Sequence, residues 1–592
     1  MRRAHSARNA TRQGWPRARP SAAFCAVALL VGVMGGAESA VAQTRPGGGD
    51  AARTHGPGVP DTLGGAWRMP PMRTSMPMLP PLMRLRPSVT PFLPDPGVDP
   101  ITLPEAVPSR IVELSDGDTL ALEASFVRRT IGGRSYVMYA FNGQYPGPLI
   151  RVPQGATIVI DFTNRIDLPT AVHWHGVRVE NRYDGVPGVT QDPVPPGGRF
   201  VYHVRFRDAG IYWYHPHHRE DIQQDLGLYG NMFVEPLDRE YFGPANREEF
   251  LMLDDLLVDE RGIFPYGREA ATHTLMGRFG NVLLVNGEPA WTLDVKRGEV
   301  VRFFLTNASN TRLFNLAFGD ARMKVVGADI GRFEREEWVS SVVLAPAQRY
   351  VIDVRFPEAG QIALENRIQA IDHYFALFYP QVDTLGLVSV SEDAVRENHA
   401  SSFEELREVA EVMSELGPYR SHLKRAPDYE LTLTLRAGEL PLTIRQMMQL
   451  DTLYFPPVEW NDAMPLMNYV STAREVTWVL RDARTGAENM DIQWRFRVGD
   501  VVKIRLHNEM RALHPMQHPM HFHGQRFLVL SQDGVANGNL VWKDTVLLPT
   551  GATTDILLEL SNPGRWIAHC HIAEHLEAGM KMVFTVEPPK GS

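Results

Sequence analysis

The chain has 592 residues, 44% of them hydrophobic, a formal net charge of −9 at pH 7 and two cysteines. That length exceeds what one hydrophobic core supports, so several domains are expected. The acidic balance argues against nucleic acid or an anionic membrane surface as a partner, and Cys25 with Cys570 cannot make a disulfide framework.

Residues 1–42 read as an export signal. A basic start with Arg2 and Arg3 precedes the apolar run AAFCAVALLVGVMGG, and Ala40-Val41-Ala42 offers a cleavage site before Gln43. The run is too short and Gly-rich for a membrane span. Cys25 precedes most of it, the wrong place for a lipid anchor. The general and twin-arginine export routes both fit, so the expected location is periplasmic or secreted. Cleavage leaves Cys570 as the only cysteine and makes the chain more acidic. Residues 43–107, rich in Gly, Pro, Met and Arg, read as an extended or disordered leader. Its Met69, Met72, Met76, Met78 and Met83 carry thioethers suited to Cu(I), against the preferred reading of an incidental, Pro-rich leader.

From about 108 to 392, and again from about 428, short runs of Val, Ile, Phe and Tyr are punctuated by Gly and Pro, the pattern of antiparallel strands. RVPQGATIVIDFTN, DVKRGEVVRFFLTN and FRVGDVVKIRLHN form a repeat. Each sets a Gly nine residues before an Asn: Gly155/Asn164, Gly298/Asn307 and Gly499/Asn508. A second repeat places Gly210, Gly360 and Gly564 just after an apolar strand. The chain is therefore expected to be all-β, with three similar β-sandwich domains at 108–240, 241–392 and 428–592. Between the last two, residues 393–427 read as a helical connector. Ser402 and Glu405 form a capping box, apolar residues recur at Phe403, Leu406, Val409, Met413 and Leu416, and Gly417-Pro418 ends it.

Histidine concentrates in four places: HWHG at 173–176, HPHH at 215–218, HPMHFHG at 518–524 and HCHIAEHLEAGM at 569–580. Alternate residues of a strand share a face, so one His-x-His pair can bind metal. Taken alone, a pair is more often two solvated polar residues. The repeat changes that balance. HWHG and HPMHFHG follow the Gly–Asn strand of units one and three, and His215 and His569 each lie five residues beyond the unit's terminal Gly. Unit two keeps the scaffold but reads LAFG and QIALE at those places. Histidine is thus not a requirement of the sandwich, and the clusters of units one and three are expected to converge at one site.

Imidazole suits Zn, Cu, Fe and Ni, and thiolate suits Zn, Cu(I) and iron–sulfur clusters. So many histidines are unusual for zinc, and one cysteine is too few for iron–sulfur. One Cys, two His and a weak Met describe an electron-transfer copper site. Cys570, His575 and Met580 supply three of those ligands, and His518 is the candidate for the fourth. Binding a metal also explains how a lone thiol survives outside the cytoplasm.

These motifs resemble those of the multicopper oxidases, and HPMHFHG with HCHIAEHLEAGM is most similar to bacterial laccase-like members. The resemblance covers about 108–589 and implies three cupredoxin-like Greek-key domains and four coppers. It implies a type 1 copper on His518, Cys570, His575 and axial Met580, and a type 2 copper on His173 and His521. A type 3 pair would take His175, His215, His217, His523, His569 and His571. In HCH, Cys570 faces one side of a strand and its neighbours the other, so an electron collected at the sulfur can pass to the pair. The family reaction is four one-electron oxidations coupled to reduction of O₂ to two waters. Asp184, in HWHGVRVENRYDG, matches the acid that relays protons in relatives; its plainer role is a loop Asp before a turn Gly.

Where many bacterial relatives carry an acid after the second type 1 histidine, this chain has Leu576, so Glu574 or Glu577 either substitutes or is a surface carboxylate. His514 is expected to lie behind the ligands or on the surface, and His218 points away from His217. Met447, Met448, Met464 and Met467 read as core packing. The axial Met580 should hold the potential low to medium, since a weak ligand stabilises Cu(II). The expected partners are O₂ and a small reductant, a phenol, aromatic amine or metal ion, with no nucleic acid, no stable membrane association and a monomeric chain. Two other functions fit the pattern less well: a cuprous oxidase in copper tolerance, and a structural cupredoxin protein that lost its coppers. Gaps in the ligand set would mark the last, and there are none.

Overall fold

The computed structural model describes residues 89–372, 377–438 and 471–589, together with Leu440, Leu442 and Arg445. The export signal with Cys25, the methionines from Met69 to Met83, and Met447, Met448, Met464 and Met467 lie outside the described residues.

Three pairs of sheets form three sandwiches. A four-stranded and a five-stranded sheet come first, then a six- and a five-stranded pair, then a seven- and a five-stranded pair. Alternation builds them. In Thr157–Asn164, Ile158, Ile160 and Phe162 point inward and their neighbours lie half exposed. The second sandwich is more deeply enclosed, and Glu299–Asn307 is buried along its whole length. Each pair of sheets shares one apolar cluster, such as Phe303, Leu316, Phe318 and Val388 in the middle unit. The chain is all-β with three sandwiches, as its sequence repeat implies, and cupredoxin-like, as the family resemblance implies.

Each repeated residue does the same task three times. Gly155, Gly298 and Gly499 all take positive φ, of 93°, 86° and 98°, where a Cβ is disfavoured. Each donates its N–H to the end of the neighbouring strand of the same sheet, to Phe206, Phe356 and Leu560 carbonyls at 2.7, 2.6 and 2.8 Å. Each repeated asparagine is buried and its amide donates to loop carbonyls. Asn164 reaches Leu168 and Val194, both at 2.9 Å; Asn307 reaches Arg312 at 2.8 Å and Leu344 at 3.0 Å. Asn508 reaches Met516 at 2.7 Å and Leu548 at 3.2 Å. The asparagine fixes the loop that leads into the histidine-bearing strand, which is why its interval from Gly is constant.

Two expectations need correcting. The connector is not one helix. It splits into Ala400–Glu404 and Ala410–Leu416, followed by a 3-10 segment, Gly417–Lys424, that runs through Gly417-Pro418. Neither helix has a side-chain N-cap bond, and Glu405 closes the first instead of boxing Ser402. The sheet edge of the second sandwich decides this. Glu336 N–H donates to Arg407 O at 3.0 Å and Val409 N–H to Glu334 O at 2.8 Å, drawing the would-be middle turn into extended pairing. Residues 89–107 also differ from a disordered leader. Phe92 is 3% exposed, and bridges Glu105–Arg128 and Val107–Gln144 tie the segment to the first sandwich.

Replacing Asn307 with Ala leaves two buried carbonyls without their donor and is expected to cost about 1–3 kcal/mol, read as a lower denaturant midpoint. An unchanged midpoint would contradict the structural role of the repeat.

Candidate metal centre

Two antiparallel strands in each outer sandwich carry the histidines. In the first, His173 pairs with His215 and His175 with Trp213 across Val172–His175 and Gly210–Pro216. In the third, Met520 pairs with Cys570 and His521 with His569 across His518–Phe522 and Gly564–Cys570. The corresponding pair in the middle sandwich places Leu316 opposite Asn366 and Phe318 opposite Leu364, side chains with no metal chemistry.

One cluster is sulfur-centred. Cys570 Sγ lies 3.6 Å from His518 Nδ1 and 3.7 Å from His575 Nδ1, and the two nitrogens are 3.3 Å apart. All three residues are fully buried. Burial lowers the His518 imidazole to about 3 and takes His575 well below its ordinary value, so both are neutral donors. Burial raises the Cys570 thiol, so binding a metal must displace its proton. Met580 is buried beside them, and its backbone ties the loop closed: Cys570 N–H donates to Met580 O at 3.1 Å, and Met580 N–H to His575 O at 3.0 Å. Trp478 packs on His575 with ring centroids 4.1 Å apart.

The other cluster joins the two outer sandwiches. His173 stacks on His523 at 3.9 Å and His175 on His521 at 3.8 Å, while His217 lies 5.1 Å from His569 and His215 5.1 Å from His571. Donor atoms of His173, His521 and His523 fall within 4.8 Å of one another, as do those of His173, His175 and His215, and of His217, His523 and His569.

One nitrogen of most of these rings is anchored. Nδ1 of His173 donates to the Asp184 carbonyl at 2.7 Å, that of His215 to Pro216 at 2.9 Å, and that of His521 to Asp544 at 2.8 Å. His569 Nδ1 donates to Cys570 O at 2.9 Å, and His217 Nδ1 faces Glu220 at 3.2 Å. The Nε2 atoms of His173, His215, His217 and His521 are buried without a hydrogen-bond partner. His175 is reversed: Nε2 meets Asp544 Oδ1 at 3.0 Å and Nδ1 is left bare, while both nitrogens of His571 are bare. Bare buried nitrogens are costly unless something accepts their lone pairs. Metal cations fit that need, and the anchors are the partners that orient metal-binding imidazoles.

The three carboxylates singled out by sequence separate here. Asp184 is fully buried and touches two ligand rings, through its carbonyl on His173 and through Oδ2, 2.9 Å from His523 Nδ1. Burial raises its pKa, with His173 opposing. Its neighbour Gly185 is also required by the turn, because a Cβ there would meet Val172 O at 1.9 Å. Glu574 is buried, not superficial, and accepts from Thr311 Oγ1 at 3.0 Å and Asn310 Nδ2 at 3.3 Å. Burial, with Asp221, pushes it up to about 8. Glu577 is half-buried and raised by burial and Asp221, with Lys581 and Arg219 opposing. His514 is 2% exposed and close enough to His518 and His575 to act on both, so it lies inside the protein and not on the surface.

Sequence reasoning missed Asp544, Arg349 and Glu220. Asp544 touches His175 and His521, and Arg349 of the middle sandwich grips it through two nitrogens, one of them 2.7 Å from Oδ1. All are fully enclosed. Asp544 carried a weak signal, a carboxylate inside the apolar run VWKDTVLL, and Glu220 another, an acid three residues after His217. Arg349 carried none.

Models described as multicopper oxidase match residues 126–239, 213–364 and 459–590, together most of the described chain. The chain belongs to the multicopper oxidase family. Membership of this family implies copper as the metal cofactor. The oxidase is 28% identical to Laccase-1 of Melanocarpus albomyces over 76% of this chain and 74% of that one. It is 24% identical to a copper resistance protein A homolog of Pseudomonas syringae, over 84% of this chain and 94% of that one. Among solved structures it is similar to a multi-copper oxidase of Pseudomonas thermotolerans, with a TM-score of 0.58, 26% identity, and coverage of 80% of this chain and all of that one.

Replacing Arg349 with Met leaves Asp544 without its guanidinium and is expected to weaken retention of the histidine-bound coppers by about 10–100-fold in chelator competition, with the thiolate's visible band intact. Equal retention would remove Arg349 from the site. Cys570→Ser is expected to abolish the visible band while the histidine cluster keeps its metal.

Proposed function

We propose that this multicopper oxidase takes single electrons from phenols or aromatic amines and passes them to O₂, which leaves as water. His518, Cys570, His575 and axial Met580 hold a type 1 copper in this reading, His173 and His521 a type 2 copper, and His175, His215, His217, His523, His569 and His571 a type 3 pair. When bound, these four ions supply one-electron acceptance at the first site and four-electron reduction of oxygen at the other three.

The observation that carries the reading is the segment His569-Cys570-His571. Sγ faces His518 and His575, while the two flanking rings lie among the imidazoles of the other cluster. One residue's backbone thus joins the two donor sets. His569 Nδ1 bonded to the Cys570 carbonyl at 2.9 Å adds a second link. Asp184 holds the rings of His173 and His523 and is the carboxylate assigned to proton delivery, with Glu574 and Glu577 as further acids. The Cys570, His575 and Met580 loop leaves the thiol enclosed, which suits a chain working outside the cytoplasm, in the periplasm or secreted, as a monomer of three sandwiches spanning 108–240, 241–392 and 428–592.

A cuprous oxidase in copper tolerance is the second reading, favoured by the likeness to a copper resistance protein A homolog. Steady-state oxygen uptake separates the two. The expected result is a higher kcat/KM for 2,6-dimethoxyphenol than for Cu(I); the reverse order would exchange them. Met580→Leu is expected to raise the potential of the visible-band centre in a redox titration, because a weak ligand to Cu(II) is lost; an unchanged or lower potential would remove Met580 from the ligand set.

A further inference from the structure

No edge of the His575 ring is open to solvent. Its Nε2 lies 3.4 Å from the Leu275 carbonyl, a residue of the second sandwich, and Trp478 covers a face. Trp478 Nε1 donates to the neighbouring Thr274 carbonyl at 2.7 Å, and Ser471 Oγ lies 3.4 Å from Leu275 N. The short stretch Thr272–Leu275 is therefore fastened onto the sulfur-centred site, and a bulky reductant cannot reach that ring directly through it.

The other end of the stretch lines a cavity. A half-open cavity of about 690 Å³ lies between the segment after Val89, the strand edge at Ser135–Val137 and the turns at 259–266, with Thr272 and His273 in its wall. Leu93, Val98, Tyr136, Ile263 and Phe264 make it largely apolar and partly aromatic, and Asp95 and Asp259 add carboxylates. That volume is the size of a small-molecule site. His273 is 5% exposed and stands edge-on to Phe264, with centroids 5.7 Å apart. Its φ of +62° is unusual for a residue with a side chain and is held by Gly277 N–H donating to His273 O at 2.7 Å. The surroundings thus force an imidazole into the wall at a cost in backbone strain. Burial, with Arg278 nearby, holds it neutral.

We propose that this cavity binds the aromatic reductant, a phenol, placing it against His273, two residues and one hydrogen bond from the metal ligand His575. The inference rests on the oxidase reading and names where its substrate sits. Aromatic walls stack on a ring, while the neutral imidazole and the carboxylates accept a phenolic hydroxyl and repel anions. The alternative occupant is a segment of the chain before Val89, itself a lining residue.

The test uses 4-nitrophenol, a phenol that resists oxidation, titrated calorimetrically into the full-length, copper-loaded protein in mildly acidic buffer, where the phenol stays protonated. Ser135→Trp narrows the cavity from an exposed position on the strand edge, and His273→Asn removes the imidazole with a residue that tolerates positive φ. Each is expected to weaken 4-nitrophenol binding about tenfold and to raise the KM for 2,6-dimethoxyphenol, with copper content and the visible band unchanged. No binding to the unaltered protein, or equal binding by both variants, overturns the proposal and leaves the cavity to the preceding chain. Ferrocyanide oxidation by the unaltered protein is read alongside. Its presence with no effect of the variants sinks only the cavity's role, and its absence sinks the oxidase reading itself.

Discussion

Buried nitrogen lone pairs with nothing to accept them are the constraint from which the rest follows. An isolated unsatisfied polar atom in a protein interior costs on the order of 1–3 kcal/mol, and His173, His215, His217 and His521 each carry one at the same place. No sandwich needs this for its own packing, since the middle unit fills equivalent positions with Leu316 and Phe318. The arrangement makes sense only with cations at the focus, and it explains why His173, His215, His217 and His521 are each held on the other side of the ring. The backbone carbonyls of Asp184, Pro216, Asp544 and Cys570 choose the tautomer before any metal arrives.

The middle sandwich does more than separate its neighbours. Arg349 reaches out of it to hold Asp544, and Asp544 in turn holds rings from the first and third units. Asn310 and Thr311, also from the middle unit, bind Glu574 next to the ligand His575. The stretch ending in Leu275 closes over the same histidine. All three sandwiches therefore meet at the metal site, and the unit without ligands supplies the charges and carbonyls that fix the ligands of the other two. A buried carboxylate such as Asp544 is tolerable only because a guanidinium is enclosed with it.

Two carboxylates of similar sequence standing have different fates, and neighbours decide which. Asp184 sits against two ligand rings, whereas Glu574 spends its oxygens on Asn310 and Thr311. Glu220, never singled out, faces His217 with no hydrogen bond to either oxygen. Position along the chain relative to a motif is a poor guide to such contacts, because the partner of each acid comes from a different sandwich.

Residues close in sequence, or spaced by a repeat, were legible from the chain alone. The Gly–Asn interval marked the three sandwiches, and strand alternation put Cys570 and its flanking histidines on opposite faces. The gaps in unit two singled out the histidine clusters that converge from the other two. These features rest on local geometry, a positive φ here and a period of two there, which adjacent residues impose on themselves. The breaking of the connector at Val409, the grip of Arg349 on Asp544, and the closure of Leu275 over His575 were decided only by tertiary structure. Each joins elements more than seventy residues apart, and a side chain's distant partner leaves no periodic trace in its own neighbourhood.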